Sequence, residues 1–274
     1  MEIEELLDRL DALAGEGDLD AVEQEALGAL ARAAGDDAAQ LWRYVAWARF
    51  EGGRLDASLE AARKADDRLA EAKALFHLWE FDAAARALDG YAGEGDDEAE
   101  AEWYRGLLEE FAGRDPARHF RRAARRAPEL FPEPERLTDA EVDRVVKAAL
   151  AALPKDIRAI VDAAVIEVRP LPSRHPDIDP LSLGLHVGHG MLERSVDDSM
   201  RMPSRIEIYR KNIERYAADR DTAIDELRIT LLHEIAHELG FDEGGVDALG
   251  LGCRGEGGAH GFGGLGFLRA QALE

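Results

Sequence analysis

Two histidines four positions apart enclose a glutamate in the stretch His233-Glu234-Ile235-Ala236-His237. On an α-helix, residues i and i+4 stand one above the other, so both imidazoles can reach a single ion. Neutral imidazole nitrogen is a good ligand for zinc. Glu234 follows the first His at an offset of about a third of a turn. From there its carboxylate can reach a metal-bound water without being a ligand itself, accept that water's proton and pass it to a leaving amine. Gly240 stands three residues beyond the second His, where a reversal of the chain needs a residue free to take φ > 0. Asp242 and Glu243 follow, so a carboxylate can swing back to complete the ligand shell. The string reads His233-Glu234-x-x-His237-x-x-Gly240-x-x-Glu243. It predicts His233, His237 and Glu243 as metal ligands, with Asp242 the alternative third ligand, and Glu234 as general base. The competing reading is a helix with two surface histidines and a salt-bridged Glu.

A long helix over about 222–239 is expected to carry the string, capped by Thr222 with Asp225 three residues on and ended by Gly240. Leu227, Leu231, Ile235 and Leu239 form the opposite apolar stripe, which anchors the helix in a core. Upstream, Thr138-Asp139-Ala140-Glu141 is a capping box that opens a helix to about residue 153, where Pro154 stops it. Three strands are predicted, at 164–168, 181–187 and 205–209, the last with period-2 alternation. In the second, Leu181, Leu183, Leu185 and Val187 share a face. The stretches 170–180 and 188–204 read as loops. His186 and His189 flank the end of the second strand; they are placed to bind substrate or polarise a carbonyl, and read more simply as loop histidines. Tyr209 can donate to an oxyanion, but an alternating strand favours a packing role. Cys253 and His260 lie in a Gly-rich tail over 250–266, where they can reach back to a metal; the composition favours disorder instead. Its end, 267–273, is expected to add a short helix.

The N-terminal half has a different texture. Up to Ala127 it is rich in Ala and Leu, and four helix–turn–helix units can be read. Their turns are Gly17-Asp18-Leu19-Asp20-Ala21, Gly53-Arg54-Leu55-Asp56-Ala57, Trp79-Glu80-Phe81-Asp82-Ala83 and Gly113-Arg114-Asp115-Pro116-Ala117. In three of them a Gly closes the first helix; an Asp or Pro starts the second, and Ala lets the two approach closely. Arg114, Arg118, Arg121, Arg122, Arg125 and Arg126 form a basic stripe, read as a solvated face rather than a phosphate or acidic-peptide site. Three prolines within 128–134 mark a boundary.

Length and composition set the limits. The chain has 274 residues, about twice one compact domain, which favours two. Residues 1–136 hold 33 acids and 18 bases; the rest hold 24 and 16, for a net charge of −23. Such a body repels phosphate surfaces, so neither a nucleic acid nor an anionic membrane is an expected partner. One Cys excludes an intramolecular disulfide and a Cys-rich zinc site. No run of 18 apolar residues occurs, and the start MEIEELLDRL lacks the basic and apolar stretches of a secretory signal. The expectation is a soluble, reduced, cytoplasmic protein.

Two resemblances build on these residues. Residues 1–130 resemble degenerate tetratricopeptide repeats, best in the second unit with Trp42, Ala46, Gly53 and Ala65; the alternative is an unrelated Ala-rich bundle. The resemblance implies a helical solenoid that binds a peptide or partner protein. Residues from about 137 to 250 resemble the minimal zincin-like zinc metallopeptidases of bacteria. Besides the zinc string, the resemblance rests on Leu153-Pro154, on 165–168, on Leu183-Gly184-Leu185 and on Pro203-Ser204-Arg205-Ile206-Glu207-Ile208-Tyr209-Arg210-Lys211-Asn212-Ile213. It implies His233, His237 and an acidic third ligand on Zn2+, with Glu234 as base. Glu243 stands where the family more often has Asp, and no Met follows Met202, so the Met-turn of metzincins is absent.

The expected architecture is thus an α+β zincin-like metallopeptidase domain (137–250) behind an N-terminal all-α tetratricopeptide-like repeat domain (1–130), with a Gly-rich tail (251–274). The expected function is zinc-dependent hydrolysis of peptide bonds in a peptide or protein substrate, held extended along an edge strand, the second or the third. The helical repeats would engage a protein partner. The alternative is a non-catalytic protein-binding scaffold with a structural or inactive zinc site.

Overall fold

A computed structural model of the chain describes residues 3–175, 178–188 and 204–248; of Glu243, Asp247 and Ala248 it describes the backbone alone. The expectations for His189, for the rest of the 188–204 loop, for Cys253, His260 and for the tail lie outside the described residues. The two compact units divide between Glu133 and Pro134.

Among its described residues the first unit is all helical: α1 (Ile3–Glu16), α2 (Leu19–Leu30), α3 (Asp36–Glu51), α4 (Leu55–Lys64), α5 (Arg68–His77), α6 (Phe81–Leu88), α7 (Gly95–Phe111) and α8 (Ala117–Arg126). Each of the four turns read from the sequence falls between the two helices of a pair. Each helix packs on the next, and α1 on α3, α3 on α5 and α5 on α7. Units that touch mainly their neighbours make a one-dimensional stack. Alanines without exposed surface, among them Ala26, Ala48, Ala61, Ala62, Ala72 and Ala74, let the helices approach closely. Three of the turns place Gly17, Gly53 and Gly113 at φ 76°, 70° and 72°; the third turn places Trp79 there, at φ 62°. A left-handed backbone costs a non-Gly residue roughly 1–2 kcal/mol. The indole offsets it by packing on Phe81 and Phe111, with ring centroids 5.4 and 5.8 Å away. The six arginines at and on α8 are all exposed, as a solvated face requires.

The second unit is α+β: α9 (Asp139–Ala152), α10 (Lys155–Val161), β1 (Val165–Arg169), β2 (Gly184–Val187), β3 (Arg205–Tyr209), α11 (Arg210–Tyr216), α12 (Arg220–Glu238) and α13 (Glu243–Ala248). The strand order is β1-β3-β2, with β1 parallel and β2 antiparallel to β3. The third strand is therefore central in the described sheet, which removes it as an edge for a substrate and leaves β2. The second strand is also shorter than 181–187. Ile166, Val168, Ile206 and Ile208 share one face of the pleat and pack with Leu183 against Leu227, Leu231 and Ile235 of α12 and Val142 and Ala149 of α9. Each such side chain, when fully buried, contributes about 1.5–3 kcal/mol. α9 opens on the expected capping box, Thr138 with Glu141. Pro154 ends it and then caps α10, a helix too short to show a period. No helix among the described residues is long and apolar enough to cross a membrane.

Candidate metal centre

The helix that carries the string starts two residues earlier than its sequence suggests. The cap is Asp219, whose carboxylate accepts from the Thr222 backbone N–H at 2.8 Å; Thr222 lies inside the first turn. Arg220 ties that turn to the start of α9. It donates to both oxygens of Glu141, at 3.0 and 2.5 Å, and to the Arg136 carbonyl at 2.9 Å. Hydrogen bonds from Arg220 and Thr138 hold the Glu141 carboxyl down at about 2. At the other end, Gly240 adopts φ 94°. The N–H groups of Gly240 and Phe241 donate back to the His237 and Ala236 carbonyls at 2.9 and 3.1 Å, which closes the helix.

Leu227, Leu231 and Ile235 are buried, as the apolar stripe predicts. A second buried row at the same four-residue spacing is polar: Glu226, Thr230, Glu234 and Glu238. It faces β2. The strand accommodates it with Gly184, where a Cβ would lie 2.6 Å from Glu234 Oε1 and 2.9 Å from Thr230 Cγ2. Glu234 itself is only 3% exposed.

His233 and His237 come together. Their Nε2 atoms are 3.0 Å apart. His237 donates its Nδ1–H to the Phe241 carbonyl at 3.0 Å, so its Nε2 carries the lone pair. Two nitrogens on a tetrahedral zinc, at about 2.0–2.1 Å each, are separated by roughly 3.3 Å. The pair therefore fits as two ligands of such an ion. Among the described residues no group of three or more His, Cys, Asp or Glu side chains is arranged around a metal. The side chain of Glu243 lies outside the described residues; its backbone opens α13. Asp242 is exposed and accepts from the Gly245 N–H at 2.9 Å, as a cap of that helix.

Two further placements bear on the site. His186 is not a loop residue: it lies in β2, and its Nε2 is 2.8 Å from Oε2 of Glu238, which is fully buried. Tyr209 is buried at the end of β3 and donates its hydroxyl to Glu207 at 3.0 Å. Burial and the Glu207 carboxylate both raise its pKa, so it stays a neutral donor. The sequence does not single out Gly184 or Glu238 as site residues, and it offers His186 for substrate binding only as the less simple alternative to a loop histidine. The available signal was Gly184, a lone Gly between Leu183 and Leu185 in a predicted strand, which marks a close approach of the backbone to something else.

Residues 161–252 match the family model described as zincin-like metallopeptidase. The match takes in the sheet, α12 and α13, and begins after α9. No curated protein matches the chain.

Proposed function

We propose that the second unit, within 137–250, is a zinc-dependent peptidase, and that the first, within 1–130, is a tetratricopeptide-like domain that engages a protein partner. The observation that carries the proposal is the convergence of the two imidazoles on α12 beside a carboxylate enclosed by β2. His233 and His237 would hold the metal through Nε2, with Glu243 as the third ligand. Asp242 is the weaker choice, because one of its oxygens already caps α13. Zinc, when bound, supplies Lewis acidity that acidifies water and polarises a carbonyl oxygen.

The chain's own residues supply the rest. Glu234 accepts the proton of the attacking water and delivers it to the amine that leaves. Its enclosure under Gly184 restricts the directions that the carboxylate can take. The Phe241 carbonyl orients His237 and keeps its Nδ1 protonated. The substrate lies extended along β2, whose outer edge pairs with no other described strand. Pairing with β3 occupies the main chain of Leu183, shown by the 2.7 Å bond from Tyr209 N–H. By alternation it also occupies Leu185 and Val187, so Gly184 and His186 turn their N–H and C=O groups outward.

The test is metal content and hydrolysis together. Purified wild type is expected to carry about one zinc per chain and to cut a peptide library until chelator is added. His237→Ala is expected to carry almost none and to cut nothing. Equal zinc in both proteins would remove the proposed ligand set.

A further inference from the structure

The contact between His186 and Glu238 joins the proposed substrate edge to the metal helix. Glu238 is the residue after His237 and has no exposed surface; His186 is 10% exposed in its side chain. A buried carboxylate is costly unless it is hydrogen-bonded, and His186 Nε2 at 2.8 Å provides one such bond. In the antiparallel register His186 faces Ile206 and Gly184 faces Ile208. Both side-chain positions lie on the face toward α12: Gly184 against Glu234, His186 against Glu238. The same two residues present outward main-chain groups, by the alternation given above. The strand has only four residues and, among the described residues, pairs on one side only. Such a strand opens locally unless side chains hold it.

We infer that His186 is a positioning residue: its bond to Glu238 latches β2 onto the C-terminal end of α12 and so holds the outward N–H and C=O of residue 186 at a fixed height beside the proposed metal site. The inference rests on the peptidase reading for its functional consequence and on geometry alone for its structural one. A latch of this kind acts on the binding of an extended peptide, not on the reacting atoms. Its loss raises KM and leaves metal affinity and proton transfer in place.

The test compares full-length wild type, His186→Ala and the conservative His186→Gln. Amide exchange in the zinc-free protein comes first. The Leu185 and Val187 amides, which face β3, are expected to exchange at least tenfold faster in His186→Ala, while those in the middle of α12 keep their protection. His186→Gln, which can still donate to Glu238, is expected to recover much of it. With zinc restored, His186→Ala is expected to show KM raised about tenfold, with kcat and zinc affinity within about twofold of wild type. Unchanged exchange at Leu185 and Val187 overturns the latch whether or not the protein hydrolyses peptides. A fall in kcat at unchanged KM assigns His186 to the chemistry and equally overturns it. Absence of hydrolysis in the wild type, with faster exchange in the variant, sinks the peptidase reading alone and leaves the latch standing.

Discussion

Gly184 of β2 faces the carboxylate of Glu234 so closely that a Cβ there would lie 2.6 Å from Oε1. No real Cβ sits that near an oxygen, so a side chain at 184 must displace the carboxylate, and the backbone of α12 beneath it is held by buried Leu227, Leu231 and Ile235. Gly184→Ala is expected to destabilise the second unit by about 1–3 kcal/mol, as overpacking does. It should lower kcat at least tenfold while zinc stays bound, because the base moves and the histidines do not. Metal analysis beside steady-state kinetics checks this; wild-type kcat in the Ala variant would show that the carboxylate has room.

The third helical turn makes a separate prediction. Trp79 occupies a left-handed position that Gly fills in the other three turns. Trp79→Gly relieves roughly 1–2 kcal/mol of backbone cost, but removes an indole that is 8% exposed and packed on Phe81 and Phe111. Truncating a buried Trp costs about 3–5 kcal/mol. The net expectation is a loss of about 1–4 kcal/mol, read from urea unfolding of the full chain. A gain in stability would mean that the aromatic packing contributes less than the strain.

Glu51, at the end of α3, contributes to the pH response of the helical unit. Burial pushes its carboxyl up to about 7; Lys73 opposes the rise and Glu100 reinforces it. Its Oε1 finds no hydrogen-bond partner among the described residues. The folded value lies above the unfolded one, near 4.5, so the folded chain keeps a proton that the unfolded chain releases. That contribution is full below about 4.5 and is lost as pH rises through about 7. Glu51→Gln removes the dependence. The variant is expected to gain on wild type by about 2 kcal/mol on going from pH 5 to pH 8, a value reduced for partial solvent access. Thermal unfolding at the two pH values measures it; an equal offset at both would place the Glu51 titration elsewhere.

The sequence made the site helix legible because three signals agree there: the His–Glu–His spacing, the apolar row from Leu227 to Ile235 and the stop at Gly240. The capping box of α9 and the β-branched runs of β1 and β3 were legible for the same reason. What it hid depends on tertiary context. Asp219 outcompetes Thr222 as cap because its carboxylate reaches the Thr222 N–H, and both residue types are good caps. β3 is central because β1 pairs with it in parallel across a long connection, and alternation in a single strand does not say which strands flank it. His186 meets Glu238 across 52 positions of sequence, a distance at which no local pattern operates. α10, α11 and α13, of seven, seven and six residues, are too short to display a helical period.

With Glu234 as the base of a hydrolytic zinc site, its carboxylate is needed for cleavage and not for metal binding. The most direct measurement is digestion of a peptide library by wild type and Glu234→Gln, each first shown to carry one zinc per chain. Gln keeps the size and packing of the side chain under Gly184 but cannot accept a proton. Wild type is expected to show chelator-sensitive cleavage, and the variant to lose at least a hundredfold. Full cleavage by zinc-loaded Glu234→Gln would contradict the role of Glu234 as base.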